Sequence, residues 1–246
     1  MKQVYEAIGI GYARARRPDT RIARAISVAL GDARTVVNMG AGTGNYEPVN
    51  RQMVAVEPAS EMLYQRPASA HPAVRAVAEA LPFSDRAFDA ALATFALHHW
   101  SDCAVGLSEM RRVARKQVIV LFEPAMSHEF WLVDYFPEIL SLPAEVGAPG
   151  VEEVGAHLRV RSVTPLPIPS DCTDGFAGAY WRRPKAYLDP SVRASISSLA
   201  QLSPKATARG VAHLEQDLKS GAWDARYGHL RSLTECDLGY RLVIAD

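Results

Sequence analysis

Three groups of residues in this chain could do chemistry. The first is a run of small residues, Gly40-Ala41-Gly42-Thr43-Gly44, with Asn38 just ahead of it. Glycines there would let backbone N–H groups approach a ligand that a Cβ would push away. The second is a lone carboxylate, Glu57, 19 residues past Asn38. That spacing is close to the one at which an acid on a second strand accepts from ribose hydroxyls. The third is the pair His98-His99, whose imidazoles suit removal of a proton from an oxygen or nitrogen nucleophile. The same rings could instead satisfy the backbone of a turn while Trp100 packs below. If one of them is catalytic, it is His98, with His99 left to face the substrate.

These groups need elements to position them. Val36-Val37 and Val54-Ala55-Val56 are short β-branched runs bounded by glycine and proline, and read as buried parallel strands. A helix is expected after the glycine loop, offering its free N–H groups to the ligand. Ser60 is placed to cap a helix after Pro58-Ala59. Ala90 to Leu97 reads as the fourth strand, carrying Thr94 and Phe95 toward the crevice beyond the strands' carboxyl ends, with His98 following. A helix over Ser101–Arg115 then leads to a fifth strand, Gln117–Phe122. Ahead of all this, Asp19 should cap a helix over Thr20–Leu30 that places Ile22, Ile26 and Leu30 on one face.

The glycine spacing narrows the ligand. G-x-G-x-x-G is the dinucleotide pattern, whereas the glycines here stand at 40, 42 and 44. This loop resembles motif I of the class I S-adenosylmethionine-dependent methyltransferases. The stretch Ala76-Val77-Ala78-Glu79-Ala80-Leu81-Pro82-Phe83-Ser84-Asp85, followed by Phe88-Asp89, resembles the A-E-x-L-P-F…F-D signature of their ubiquinone-biosynthesis-like (methyltransferase type 11) branch. The resemblance implies a seven-stranded Rossmann-like α/β sheet with an antiparallel last strand. It also implies S-adenosylmethionine as cofactor, with S-adenosylhomocysteine as product. The cofactor contacts it implies are Asn38, Gly40, Ala41, Gly42, Gly44, Glu57, Pro58, Ala78, Glu79, Ala80, Thr94 and Phe95. Tyr12 and Arg16 join them from a Tyr-x-x-x-Arg segment that folds over the cofactor, with Arg16 suited to the cofactor carboxylate. By residue type alone, the surrounding arginines could equally form a solvated face. The chain departs from the family twice. Asn38 stands where the strand usually ends in Asp, and Val77 where many members place an Asp for the adenine amino group. The adenine contact would then fall to Glu79, to backbone around Ala78, or to water.

Composition bounds the rest. The chain has 246 residues, 48% of them hydrophobic, enough for one large α/β domain. Lys+Arg and Asp+Glu balance at 27 each, so no overall field favours nucleic acid or an acidic membrane. No segment has the unbroken apolar length of a membrane span, and the charged N-terminal stretch does not read as a signal peptide. Cys103, Cys172 and Cys236 are far apart and lack metal spacing, consistent with reduced thiols in a cytoplasmic protein and no metal.

The expected organisation is an N-terminal helical lid (1–30), a cofactor-binding core (31–168), a helical substrate cap (169–237) and a last core strand (238–246). The aromatic-rich segment 125–147 should overhang the mouth of the crevice, with Trp131, Asp134 and Tyr135 as substrate contacts. Tyr180 and Trp181 are the corresponding residues of the 169–237 insert, where a structureless loop of that length would be unusual. The expected function is methyl transfer to a small molecule by a monomer or homodimer. The alternatives are a non-catalytic binder of the same cofactor, a nicotinamide oxidoreductase, which the glycine spacing disfavours, and an RNA or protein methyltransferase. Against the last stand the neutral charge and the lack of an Asn/Asp-Pro-Pro-Tyr motif after the fourth strand.

Overall fold

The computed structural model describes residues 16–246. Strand β1 (Thr35–Met39) follows helix α1 (Thr20–Leu30). Then come β2 (Gln52–Val56), α2 (Ser60–Tyr64), β3 (Ala73–Val74), β4 (Phe88–Thr94), α3 (Cys103–Val113) and β5 (Ala114–Phe122). Short helices α4 (Leu132–Tyr135) and α5 (Pro143–Val146) precede α6 (Val151–His157) and β6 (Val160–Pro165). The long excursion holds α7 (Pro190–Ser195), α8 (Ser197–Ala200), α9 (Pro204–Ser220) and α10 (Ala222–Tyr227), and the chain returns as β7 (Tyr240–Ala245). These strands form one seven-stranded sheet in the order β3-β2-β1-β4-β5-β7-β6. The first five pair in parallel, and β7 runs antiparallel between β5 and β6. This is the Rossmann-like sheet expected, with the strand order reversing at β1 and β4. A ligand crevice belongs beyond the carboxyl ends of those two strands.

Strand alternation builds two cores at once. Val36, Leu92 and Val120 face a cluster closed by Ile22, Ile26 and Leu30 of α1. Val37, Ala93, Ile119 and Leu121 face the other side, closed by Leu107 and Met110 of α3 and Val154 of α6. Asp19 caps α1 as expected, accepting from the Arg21 backbone N–H at 3.0 Å. A third cluster lies off the sheet, where Trp131, Tyr135 and Phe136 pack with Tyr187, Leu214 and Trp223. The cap core thus draws on both the 130–139 segment and the 187–223 region. Ile168, Cys172, Phe176 and Trp181 pack instead against the sheet. None of the helices among the described residues is long and apolar enough to cross a membrane.

Several local expectations need correction. No helix follows the glycine loop: residues 40–51 form successive turns. Gly42, Gly44 and Tyr46 all have positive φ (53°, 95° and 63°), and a right-handed helix cannot propagate through them. β4 stops at Thr94 rather than Leu97, because Phe95 turns left-handed (φ 53°) and Leu97–His99 form a 3₁₀ turn. Helix α2 is capped by Ala59 without a side-chain bond, so Ser60 is its first residue. Helix α3 starts at Cys103, where Asp102 accepts from Val105 N–H at 3.0 Å, and it ends at Val113.

Candidate active site

A cavity of 260 Å³ opens at the carboxyl ends of β1, β2 and β4. The glycine loop forms its floor. Gly40 takes φ 70°, and a Cβ there would lie 2.6 Å from the Ala96 Cβ, so only glycine lets β1 and the turn after β4 approach. A Cβ on Gly42 would meet nothing within 4 Å. Gly42 therefore presents bare backbone to open space. Glu57, at the end of β2, reaches back to the loop: Gly42 N–H donates to it at 2.8 Å and Ala59 N–H at 2.9 Å. Burial pushes its carboxyl pKa up, and those two donors oppose the shift.

Asn38 is buried beside this floor and donates to Glu47 at 3.1 Å. Glu47 is itself paired with Arg66 at 2.8 Å, both nearly buried. An Asp in place of Asn38 would set a second carboxylate against Glu47. The departure from the family pattern therefore has a local cause. Gly44 is turned toward Arg66 and Glu47 and does not line the cavity.

Met62, Val77 and Ala78 give the cavity an apolar side, with Pro58 and Glu79 at its edge. Glu79 is already engaged, accepting from Ser101 N–H (2.6 Å), Ser101 O–H (2.8 Å) and Asp102 N–H (3.1 Å). Burial works against its charge, but these donors prevail and its pKa is lowered. Thr94 and Trp100 also line the cavity, and among the described residues Thr94 Oγ1 and Trp100 Nε1 are buried without a hydrogen-bond partner. Orphaned polar atoms, a carboxylate at the end of β2 and a bare glycine backbone suit a nucleoside with a polar tail.

Arg16 borders this cavity and is bound from outside the sheet. Its Nε and Nη2 donate to Asp174 at 2.6 and 3.1 Å. Tyr46 O–H donates to the same carboxylate at 2.7 Å, and Gly175 N–H at 2.7 Å. Asp174 is fully buried. It ties the insert to the end of the glycine loop and to the N-terminal segment.

A second cavity, of 130 Å³, lies between the end of β4 and residues of the 127–149 and 195–198 stretches. Arg16, Phe95, Ala96 and His99 border both cavities, whereas His98 borders the second alone. The two imidazoles touch with their planes tilted by 54° and centroids 3.8 Å apart. Burial, reinforced by the Arg16 charge, pulls the His98 pKa down to about 4. His99 is lowered well below 6.5, by burial first and then by His98 and Arg16. Both rings are neutral at pH 7.

These histidines fix a stability window. The unfolded chain protonates them below about pH 6.5, while the folded protein holds His98 neutral down to about 4. Stability contributed by the neutral ring is therefore lost as pH falls through that interval. At pH 5 the loss from His98 comes to about 2 kcal/mol, at about 1.4 kcal/mol per pKa unit. Urea titrations at pH 7.5 and 5 should show a larger drop for the wild type than for His98→Gln. Equal drops would rule the histidine out as the cause.

The structure brings Arg16, Asn38, Gly40, Ala41, Gly42, Glu57, Pro58, Ala78, Glu79, Thr94 and Phe95 to one cavity. Tyr12 lies outside the described residues. Ala80 is exposed and does not line it. Neither cavity is lined by Trp131, Asp134, Tyr135, Tyr180 or Trp181. Large aromatics here went to the cap's own core. Trp131 packs edge-on to Tyr187 and Trp223 and donates its indole N–H to the Trp181 carbonyl at 2.9 Å. Tyr135 donates to Asp217 at 2.8 Å, and exposed Asp134 accepts from Tyr227. Trp181 is buried, its N–H on the Ile168 carbonyl at 2.9 Å. Tyr180 lies beneath the Arg183 guanidinium at 4.8 Å. Residues that do line the second cavity, such as Glu145, Ser198 and Tyr240, carried no motif.

Comparison with known proteins agrees with this geometry. Residues 37–122 match the methyltransferase domain family. A crystal structure from Anabaena variabilis ATCC 29413, provisionally assigned as a methyltransferase of an antibiotic biosynthesis pathway, is 32% identical. The match covers 94% of this chain and 99% of that one, with a TM-score of 0.84. A Thermotoga maritima S-adenosylmethionine-dependent methyltransferase is similar at 20% identity, covering 66% of this chain and 83% of its own (TM-score 0.54). Geranyl diphosphate C-methyltransferase from Streptomyces coelicolor, solved with S-adenosylhomocysteine, is similar at 14% identity, covering 92% and 78% (TM-score 0.50). No curated protein matches the chain in sequence. With its sheet order, its loop-and-carboxylate cavity and a relative 32% identical along nearly its whole length, the chain belongs to the class I S-adenosylmethionine-dependent methyltransferases and uses S-adenosylmethionine as its cofactor.

Proposed function

We propose that the protein methylates a small-molecule acceptor held in the second cavity. The observation that carries this reading is the wall the two cavities share, formed by Arg16, Phe95, Ala96 and His99. When bound, the cofactor supplies a sulfonium methyl that is electrophilic without further activation. Glu57 would hold the ribose, the Gly40–Gly42 backbone and Asn38 the amino-acid end, and Met62, Val77 and Ala78 the adenine.

The chain's own contribution is alignment and exclusion of water. Phe122, Phe130 and Phe176 roof the acceptor cavity together with Ile196 of the cap. Its 130 Å³ suits a compact acceptor rather than a macromolecular segment. The relative assigned to an antibiotic biosynthesis pathway supports an acceptor from that kind of metabolism. His98 is neutral at pH 7 and can accept a proton, but burial makes it a weak base.

The test offers methyl-labelled S-adenosylmethionine with three pools: a filtrate of small metabolites, bulk RNA, and protein. Label should pass to the filtrate alone. Label entering RNA or protein would overturn the reading.

A further inference from the structure

Glu145, on α5, lines the acceptor cavity. Burial raises its carboxyl pKa, and among the described residues no cation or hydrogen-bond donor opposes the shift. Its charge is felt by Tyr240, another residue of the wall. The lining is also aromatic: Phe95, Phe176 and Tyr240 meet with centroids 5.0 to 5.5 Å apart. Among the described residues lining this cavity Arg16 is the one arginine; it is held by bidentate pairing with Asp174, and its charge is still felt by His98, His99 and Tyr240. An anionic acceptor would therefore set its charge against Glu145. A cationic one would meet a carboxylate and ring faces, both of which favour it.

Resting on the small-molecule methyltransferase reading, we infer that Glu145 selects acceptors bearing an amine, its carboxylate pairing with the ammonium while the aromatic wall holds the acceptor's apolar body. The nitrogen must lose a proton before it can act as a nucleophile. Glu145 takes that proton: ammonium and carboxylate become amine and carboxylic acid, with no change in net charge. Burial favours both neutral forms, raising the acid and lowering the amine.

Calorimetry on the protein saturated with S-adenosylhomocysteine tests this, using phenethylamine, 2-phenylethanol and 3-phenylpropionate as probes. The amine should bind at least about tenfold tighter than the alcohol, the order expected of one charge-assisted pair. Glu145→Gln, which keeps the volume, should abolish that preference and leave S-adenosylhomocysteine affinity unchanged, which also shows that the variant is folded. No amine preference in the wild type, or a preference that survives in Glu145→Gln, overturns the inference. Either result, obtained with S-adenosylhomocysteine bound, leaves the proposed function standing. Failure of S-adenosylhomocysteine to bind the wild type would sink both.

Discussion

Glu57→Ala will weaken S-adenosylmethionine binding by about a hundredfold or more, since two hydrogen bonds to a charged group contribute about 1.5–3 kcal/mol each. The carboxylate is buried at the end of β2, and both its oxygens already accept backbone N–H groups from Gly42 and Ala59. The residue lines the cavity, and each of its oxygens keeps further accepting capacity. Removing it takes away the acceptors proposed for the ribose and also leaves the Gly42 N–H without its partner, so the loop loses its tether to β2. Glu57→Gln should fall between wild type and alanine, because an amide keeps one acceptor oxygen but presents a donor to the other N–H. Titration calorimetry of all three proteins, with far-ultraviolet circular dichroism to establish folding, gives the answer. A folded Glu57→Ala that binds within threefold of wild type would show that the ribose lies elsewhere.

Asp174→Ala will cost about 3–5 kcal/mol of stability, the usual penalty for removing one member of a buried ion pair. The carboxylate is wholly buried and Arg16 is only 10% exposed, so the guanidinium loses its bidentate acceptor in a largely desolvated place. Tyr46 O–H loses its acceptor at the same time. Tyr46 sits at the end of the glycine loop with φ 63°, a conformation a bulky residue holds only when its surroundings enforce it. Cofactor affinity should therefore fall along with stability. Tyr46→Phe removes one hydrogen bond and keeps the ion pair, so its cost should be near 1 kcal/mol. Urea unfolding of the three proteins separates these terms. A loss below about 1 kcal/mol in Asp174→Ala would mean that the pair is dispensable, as many exposed pairs are.

The sequence by itself determined the parts that obey local rules. β-branched runs marked β1 and β2, glycines at 40, 42 and 44 marked a loop whose backbone a ligand could approach closely, and Asp19 marked the start of α1. Glu57 was legible because its place follows from strand length and loop length, not from distant contacts. Where local rules competed, the reading failed. Alternating left-handed residues at 42, 44 and 46 excluded the helix expected after the loop. Phe95 ended β4 early in the same way.

Tertiary structure alone decided which polar and aromatic groups meet. Asp174 reaches Tyr46 across 128 residues and Arg16 across 158, spacings that no periodicity encodes. Trp131 and Trp181 looked like substrate contacts because they are large and amphipathic. Folding used them as core, since burying such side chains contributes more than leaving them at a cavity edge. Tyr240 joined the wall of the second cavity because β7 returns between β5 and β6, and Glu145 because α5 packs against the Leu97–His99 turn. Local patterning marks strands, turns and caps, whereas the strand order of the closed sheet decides which distant residues share a cavity.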